Sequence, residues 1–91
     1  MSHRIVLPTP LRRFAGNADS IDVEAETIGE IIERIETLHP GFRDRICEPN
    51  GELRRFINIY LNGEDVRFLE KLATKIPAGA EVAIIPAIAG G

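Results

Sequence analysis

The chain has 91 residues, 44% hydrophobic and 27% charged, which fits one compact domain and leaves no room for a second. A formal net charge of −3, with only two lysines, argues against the dense basic surface that nucleic acid requires. A lone cysteine, Cys47, excludes an intrachain disulfide and a CxxC pair, and with no apolar run near a membrane span's length and no signal-peptide pattern at MSHRIVLPTP, a cytoplasmic protein without membrane association is expected.

From His3 to Leu7 the run HRIVL is short and β-branched, and Pro8 and Pro10 stop it, which predicts a strand followed by a rigid turn. A loop through Gly16 and Asn17 leads to residues 20–25. There Ile21 and Val23 alternate with Asp22 and Glu24, the period-2 pattern of a half-buried strand, and the two strands read as an antiparallel hairpin. Thr27, followed three residues on by Glu30, forms a capping box that opens a helix. Ile28, Ile31, Ile32, Ile35 and Leu38 then recur at three- and four-residue spacing as one apolar stripe, and Pro40 and Gly41 end it.

Residues 42–53 mix charges, Pro49 and an Asn50-Gly51 turn signal, which predicts a short helical turn and a loop. The run FINIYL, residues 56–61, carries the strongest strand pattern, with Ile57, Ile59 and Leu61 on one face and Phe56, Asn58 and Tyr60 on the other. Asn62-Gly63 marks a tight turn. After a mixed segment containing Val66, Phe68 and Leu72, a Pro-Ala-Gly turn precedes a final strand over residues 81–85. The order strand, strand, helix, strand, short strand, strand predicts an α+β fold in which a mixed sheet packs on one amphipathic helix, the β-grasp architecture of ubiquitin-like proteins. Residues 1–86 form that domain, and residues 87–91 form a tail.

A thin core leaves little space for an internal active site, since a domain of this size buries about 60–65% of its unfolded surface. Chemistry is therefore expected at an edge or a terminus. Gly90 and Gly91 follow the last strand almost directly, and two residues without Cβ atoms can thread a narrow channel and present a carboxylate to a buried centre. A carboxylate is inert until ATP converts it to an acyl-adenylate, from which sulfur can displace AMP to leave a thiocarboxylate. Such chemistry belongs to a partner enzyme.

The ending Ile85-Pro86-Ala87-Ile88-Ala89-Gly90-Gly91, preceded by residues 79–84 (GAEVAI), resembles the ends of the molybdopterin synthase small subunit and related thiocarboxylate carriers. Residues 56–67 (FINIYLNGEDVR) are similar to the central strand and turn of the carriers that feed sulfur to cysteine synthesis in actinobacteria. With the opening strand and the Ile-rich helix, the resemblance spans nearly the whole chain. Molybdopterin-type carriers commonly show paired prolines before the tail, whereas here Ala87 follows Pro86, which favours the cysteine branch.

The resemblance implies a ubiquitin-like sulfur carrier rather than an enzyme. Gly91 would be the acyl-adenylate and thiocarboxylate site, and Pro86, Ala87, Ile88, Ala89 and Gly90 the segment inserted into partners. The implied partners are an E1-like adenylyltransferase and sulfurtransferase, which uses the ATP, and a pyridoxal-phosphate-dependent cysteine synthase, or the molybdopterin synthase large subunit. A zinc metallopeptidase would release the new cysteine. No cofactor or metal is expected on the carrier itself. The alternatives are a ubiquitin-like protein modifier, in which a lysine amine attacks the activated Gly91, and a plain interaction module.

Phe56 and Tyr60, with Ile85 nearby, read either as a partner-docking patch or as secondary core covered by residues 42–53. Arg12, Arg13, Arg43, Arg45, Arg54 and Arg55 suit an acidic partner surface, although scattered arginines are usually solvated. Glu30 and Arg34 are spaced for a helix-surface pair, His39 for a favourable place at the helix end, and His3 lies near the chain start. Cys47 suits packing better than persulfide chemistry. No Ser-His-Asp or Cys-His constellation, phosphate-binding glycine loop or metal cluster is apparent.

Overall fold

The computed structural model describes residues 2–86. Five strands, β1 (Ser2–Val6), β2 (Ser20–Glu24), β3 (Ile57–Leu61), β4 (Glu64–Asp65) and β5 (Val82–Pro86), form one sheet in the order β2-β1-β5-β3-β4. β1 is antiparallel to β2 and parallel to β5, and β5 is antiparallel to β3. Helix α2 (Ile28–Leu38) crosses one face of this sheet, and two short helices, α1 (Thr9–Arg12) and α3 (Phe42–Ile46), close its ends. Two 3-10 turns, Val66–Phe68 and Lys71–Ala73, bring the chain from β4 back towards β5.

Strand alternation decides the core. Ile5, Val23, Ile57, Ile59, Leu61, Val82 and Ile84 are buried on the inner face, and Ile28, Ile31, Ile32 and Ile35 of α2 are buried with them in one cluster that Phe42 and Ile46 complete. The capping box is present in both directions: the Glu30 backbone N–H donates to Thr27 Oγ1, and Thr27 N–H donates to Glu30 Oε1, each at 3.2 Å. Gly29 is the close approach of the helix to the rest of the chain, because a Cβ there would stand 3.2 Å from the Leu72 carbonyl oxygen. The hairpin from β3 to β4 turns on Asn62 and Gly63, both at positive φ (51° and 84°), as a two-residue type I′ turn demands. Asn62 also pins the entrance of β5: its backbone N–H donates to the Glu81 carbonyl at 2.9 Å, and its Oδ1 accepts the Glu81 N–H at 3.0 Å.

Four expectations are corrected. Pro8 and Pro10 do not make a rigid turn; they open α1, because proline in a first helical turn lacks only a donor that would be orphaned there. Leu38 does not complete the apolar stripe. It lies exposed beyond the core, lining a shallow cleft with Asp22, Glu24 and Thr37 at the β2 edge. Glu30 and Arg34 form no ion pair among the described residues, since the Glu30 carboxylate is committed to the N–H groups of Glu26 and Thr27. His3 is buried, because it shares the inward phase of β1 with Ile5, and neither ring nitrogen has a hydrogen-bond partner among the described residues.

The corner between α2 and α3 is held by Glu36. Its carboxylate accepts the backbone N–H of Arg43 at 2.8 Å and of Gly41 at 3.1 Å, and these bonds, the Arg43 one foremost, hold its pKa below the ordinary carboxylate range. A depressed carboxylate stabilises the fold above its unfolded-state pKa, and that contribution fades as pH falls through the folded-state value. Glu36→Gln is therefore expected to be less stable than the parent near neutral pH, with the gap closing on acidification below about pH 4.3, as read from urea midpoints at each pH. Core burial predicts a second contrast. Phe42→Ala is expected to cost about 3–5 kcal/mol, while Phe68→Ala, at an 84% exposed side chain, stays within about 0.5 kcal/mol, both measured by denaturant unfolding.

Candidate functional site: the end of β5 and the outer sheet face

The register between β3 and β5 defines the site. Ile57 stands opposite Pro86, Asn58 opposite Ile85 and Tyr60 opposite Ala83. Ile57 and Ile84 point into the core, so Asn58, Tyr60 and Ile85 share the outer face, away from α2. Ile85 is 45% exposed and Tyr60 is half-buried. Phe56 lies in the turn just before β3 rather than in the strand, and is 51% exposed. Phe56 and Ile85 are thus not covered as secondary core, and Ile85, opposite Asn58, is diagonal to Tyr60 and within reach of a large side chain there.

Pro86 is the last residue of β5 and is paired in the sheet. The expected reactive Gly91 and the inserted residues Ala87, Ile88, Ala89 and Gly90 lie outside the described residues. What the fold does define is their point of departure: the end of the sheet at which β5 stops beside the start of β3.

Two further exposed or outward-bonded residues, Arg67 on this face and Phe68 on the turn after β4, were not singled out from the sequence. Arg67 reaches back across the outer face, where Nη1 donates to Asn58 Oδ1 and Nη2 donates to the Arg54 carbonyl at 2.7 Å. A polar link therefore sits at the centre of the apolar group formed by Phe56, Tyr60 and Ile85. Phe68 is the most exposed of the large hydrophobic residues, on the turn that follows β4. The signal available for both is the sequence VRF directly after a tight hairpin, too short for any periodicity to show which way its side chains point. An open cleft of about 600 Å³ lies beside them, lined by Leu53, Arg55, Asn58, Arg67 and Lys71 among others.

Among the described residues, no group of three or more His, Cys, Asp or Glu side chains is placed to hold a metal ion, and no helix is long and apolar enough to cross a membrane. Cys47 is buried at the end of α3, and that burial pushes its thiol pKa up. Its surroundings disfavour the thiolate that persulfide chemistry would use.

The chain matches the ThiS family over residues 5–91, and it belongs to that family of ubiquitin-like sulfur carriers, proteins that serve as substrates rather than as enzymes. It is 42% identical over 93 residues to the sulfur carrier protein CysO of Mycobacterium tuberculosis, covering 100% of both chains. The crystal structure of that CysO superimposes with a TM-score of 0.87 at 40% identity, covering 93% of this chain and 98% of the other. A chain of the Amycolatopsis orientalis BexX/CysO complex gives a TM-score of 0.89 at 39% identity, covering 97% and 98%. The small archaeal modifier protein SAMP1 of Haloferax volcanii gives 0.82 at 29% identity, covering 100% of both. The predicted β-grasp fold agrees with these likenesses.

Burial at Cys47 carries an expected outcome. In the native protein the thiol reacts slowly with iodoacetamide at neutral pH, and the rate rises by orders of magnitude once urea unfolds the chain, followed by mass spectrometry.

Proposed function

We propose that this sulfur carrier works through Gly91: its carboxylate attacks the α-phosphate of ATP in an activating enzyme, pyrophosphate leaves, and a sulfur nucleophile then displaces AMP from the acyl-adenylate to give a thiocarboxylate. The observation that carries the reading is the full-length likeness to CysO, which, like the family match, runs through Gly90-Gly91. The residues from Pro86 to Gly91 would enter the partner's active site, while Phe56, Tyr60 and Ile85 would dock against its surface. An E1-like adenylyltransferase would load the sulfur. A pyridoxal-phosphate-dependent cysteine synthase would accept it, and a zinc metallopeptidase would free the product. The departure from paired prolines at Pro86-Ala87 supports cysteine over molybdopterin as the final acceptor.

A second reading is favoured by the likeness to SAMP1, a modifier protein. There the same activated Gly91 would be taken by a lysine amine, and conjugates lost on deletion of Gly91 would appear in lysates of the native cells.

Intact mass of protein from its native cells distinguishes these outcomes. Exchange of the terminal oxygen for sulfur adds about 16 Da, with thiol-directed alkylation at Gly91 and not at buried Cys47. One residue appended after Gly91 is expected to abolish that gain and leave the unfolding curve unchanged. Sulfur transfer retained by the extended protein would overturn the reading.

A further inference from the structure

Arginines that are dispersed along the sequence are brought together at the end of the sheet where β5 stops. β1 runs parallel to β5, so the chain leaves β1 through Leu7 and Pro8 at the same end and enters α1, which carries Arg12, with Arg13 directly after it. Arg54 and Arg55 precede β3, whose first residue, Ile57, faces Pro86. α3 is tied to this end twice. Arg54 donates from Nε and Nη2 to the Asp44 carbonyl, at 3.1 and 2.9 Å, and the guanidinium of Arg45 stacks 4.2 Å from the centroid of Phe14. Arg13 takes another position on the same ring at 4.9 Å.

Arg12, Arg13, Arg45 and Arg54 are held in place, and of these only Arg54 is paired with a carboxylate among the described residues. Arg54 pairs with Glu48 at 2.9 Å, and Arg43, near the start of α3, pairs with Glu33 at 2.7 Å. Among the described residues Arg12, Arg13, Arg45 and Arg55 have no carboxylate partner, and Arg12 instead donates from Nε to the Leu7 carbonyl. A chain of net charge −3 thus concentrates free positive charge at one end. Stacking on Phe14 fixes two of the forks, which lowers the entropy lost when they bind.

Gly91 lies five residues beyond Pro86, and five residues span at most about 18 Å. Any protein that takes Gly91 into a buried centre must therefore bring the rim of its channel against this end of the fold. We propose that Arg13, Arg45 and Arg55 form a basic collar that docks on a carboxylate-lined rim around the tail-accepting channel of the activating enzyme. The inference deepens the sulfur-carrier reading and rests on it. The collar adjoins Phe56, so charge would steer the encounter and the apolar group would supply short-range contact.

The test is ATP–pyrophosphate exchange driven by the full-length protein and a purified adenylyltransferase of the ubiquitin-activating type from the same organism. Arg13→Glu and Arg55→Glu are compared with Arg34→Glu, which makes the same charge change on the exposed face of α2. Each collar variant is expected to lower kcat/KM about tenfold at low ionic strength, through KM, and the deficit should shrink towards unity in about 1 M salt, where the Debye length is about 3 Å. Arg34→Glu should stay within about twofold of the parent at all salt concentrations. Arg55 makes no side-chain hydrogen bond or ion pair among the described residues, so its variant keeps the test valid should Arg13→Glu loosen the Phe14 stack. Exchange that is equal in the collar and Arg34 variants overturns the collar alone. Absence of exchange with the unaltered protein overturns the carrier reading, and the collar falls with it.

Discussion

The structure depends on β5 being hydrogen-bonded on both sides. Val82 and Ala83 pair in parallel with Ile5 and Val6, while Val82 to Pro86 pair antiparallel with Leu61 to Ile57. A strand in the middle of a sheet cannot shift register without turning Val82 and Ile84 out of the core, so the position of Pro86 is fixed to within a residue. Because both neighbours are themselves held, β1 by β2 and β3 by the Asn62-Gly63 hairpin, the departure point of residues 87–91 is set by the whole fold rather than by local contacts. The proposed insertion of residues 86–91 into another protein would require such a fixed base, since positioning error there carries over to Gly91.

The two sheet faces have different work. The inner face is closed by α2 through four buried isoleucines, and the cost of losing one of these side chains, about 2–5 kcal/mol, is large against the stability of a domain this size. Among the described residues, no counterpart of α2 lies on the outer face. This face leaves Ile85 and Phe56 to solvent around the Asn58–Arg67 link, a pattern in which a buried-quality strand sequence is retained without being covered. Apolar side chains on rigid strands lose little entropy on association, which would suit the successive partners proposed for this carrier.

The legible parts of the fold were those in which one pattern repeats. The capping box and the spacing from Ile28 to Ile35 located α2, the alternation in INIYL gave the correct inward set, and Asn62-Gly63 marked its turn. The misreadings came where local chemistry admits two answers. Pro8 and Pro10 are as compatible with a first helical turn as with a rigid bend, and only the packing of Leu11 and Ala15 into the core selects the helix. Leu38 satisfied the helical period, but the period says nothing about how far the sheet extends beneath the helix. His3 was read by its distance from the chain start, whereas its burial follows from the phase of β1. The arginines were the least legible. Their positions from 12 to 55 have no sequence regularity, and their gathering at one end is a consequence of β1, β3 and β5 all having a terminus there.

Absence of a catalytic constellation and presence of a fixed, basic, partly apolar exit follow from the same limitation. In the proposed carrier reading, a domain this small does not enclose its reacting carboxylate in a dry, preorganised site, and the activation barrier would be lowered inside a larger protein. The tail then has to be narrow, which forbids side chains at Gly90 and Gly91 and leaves the last two residues with almost no recognition surface of their own. In that reading recognition would be displaced onto the nearest structure the fold defines, the end of the sheet carrying Pro86, Phe56 and the arginines from three separate segments. In the proposed encounter, charge at that position would act before contact and apolar surface on contact, so the two would serve consecutive stages.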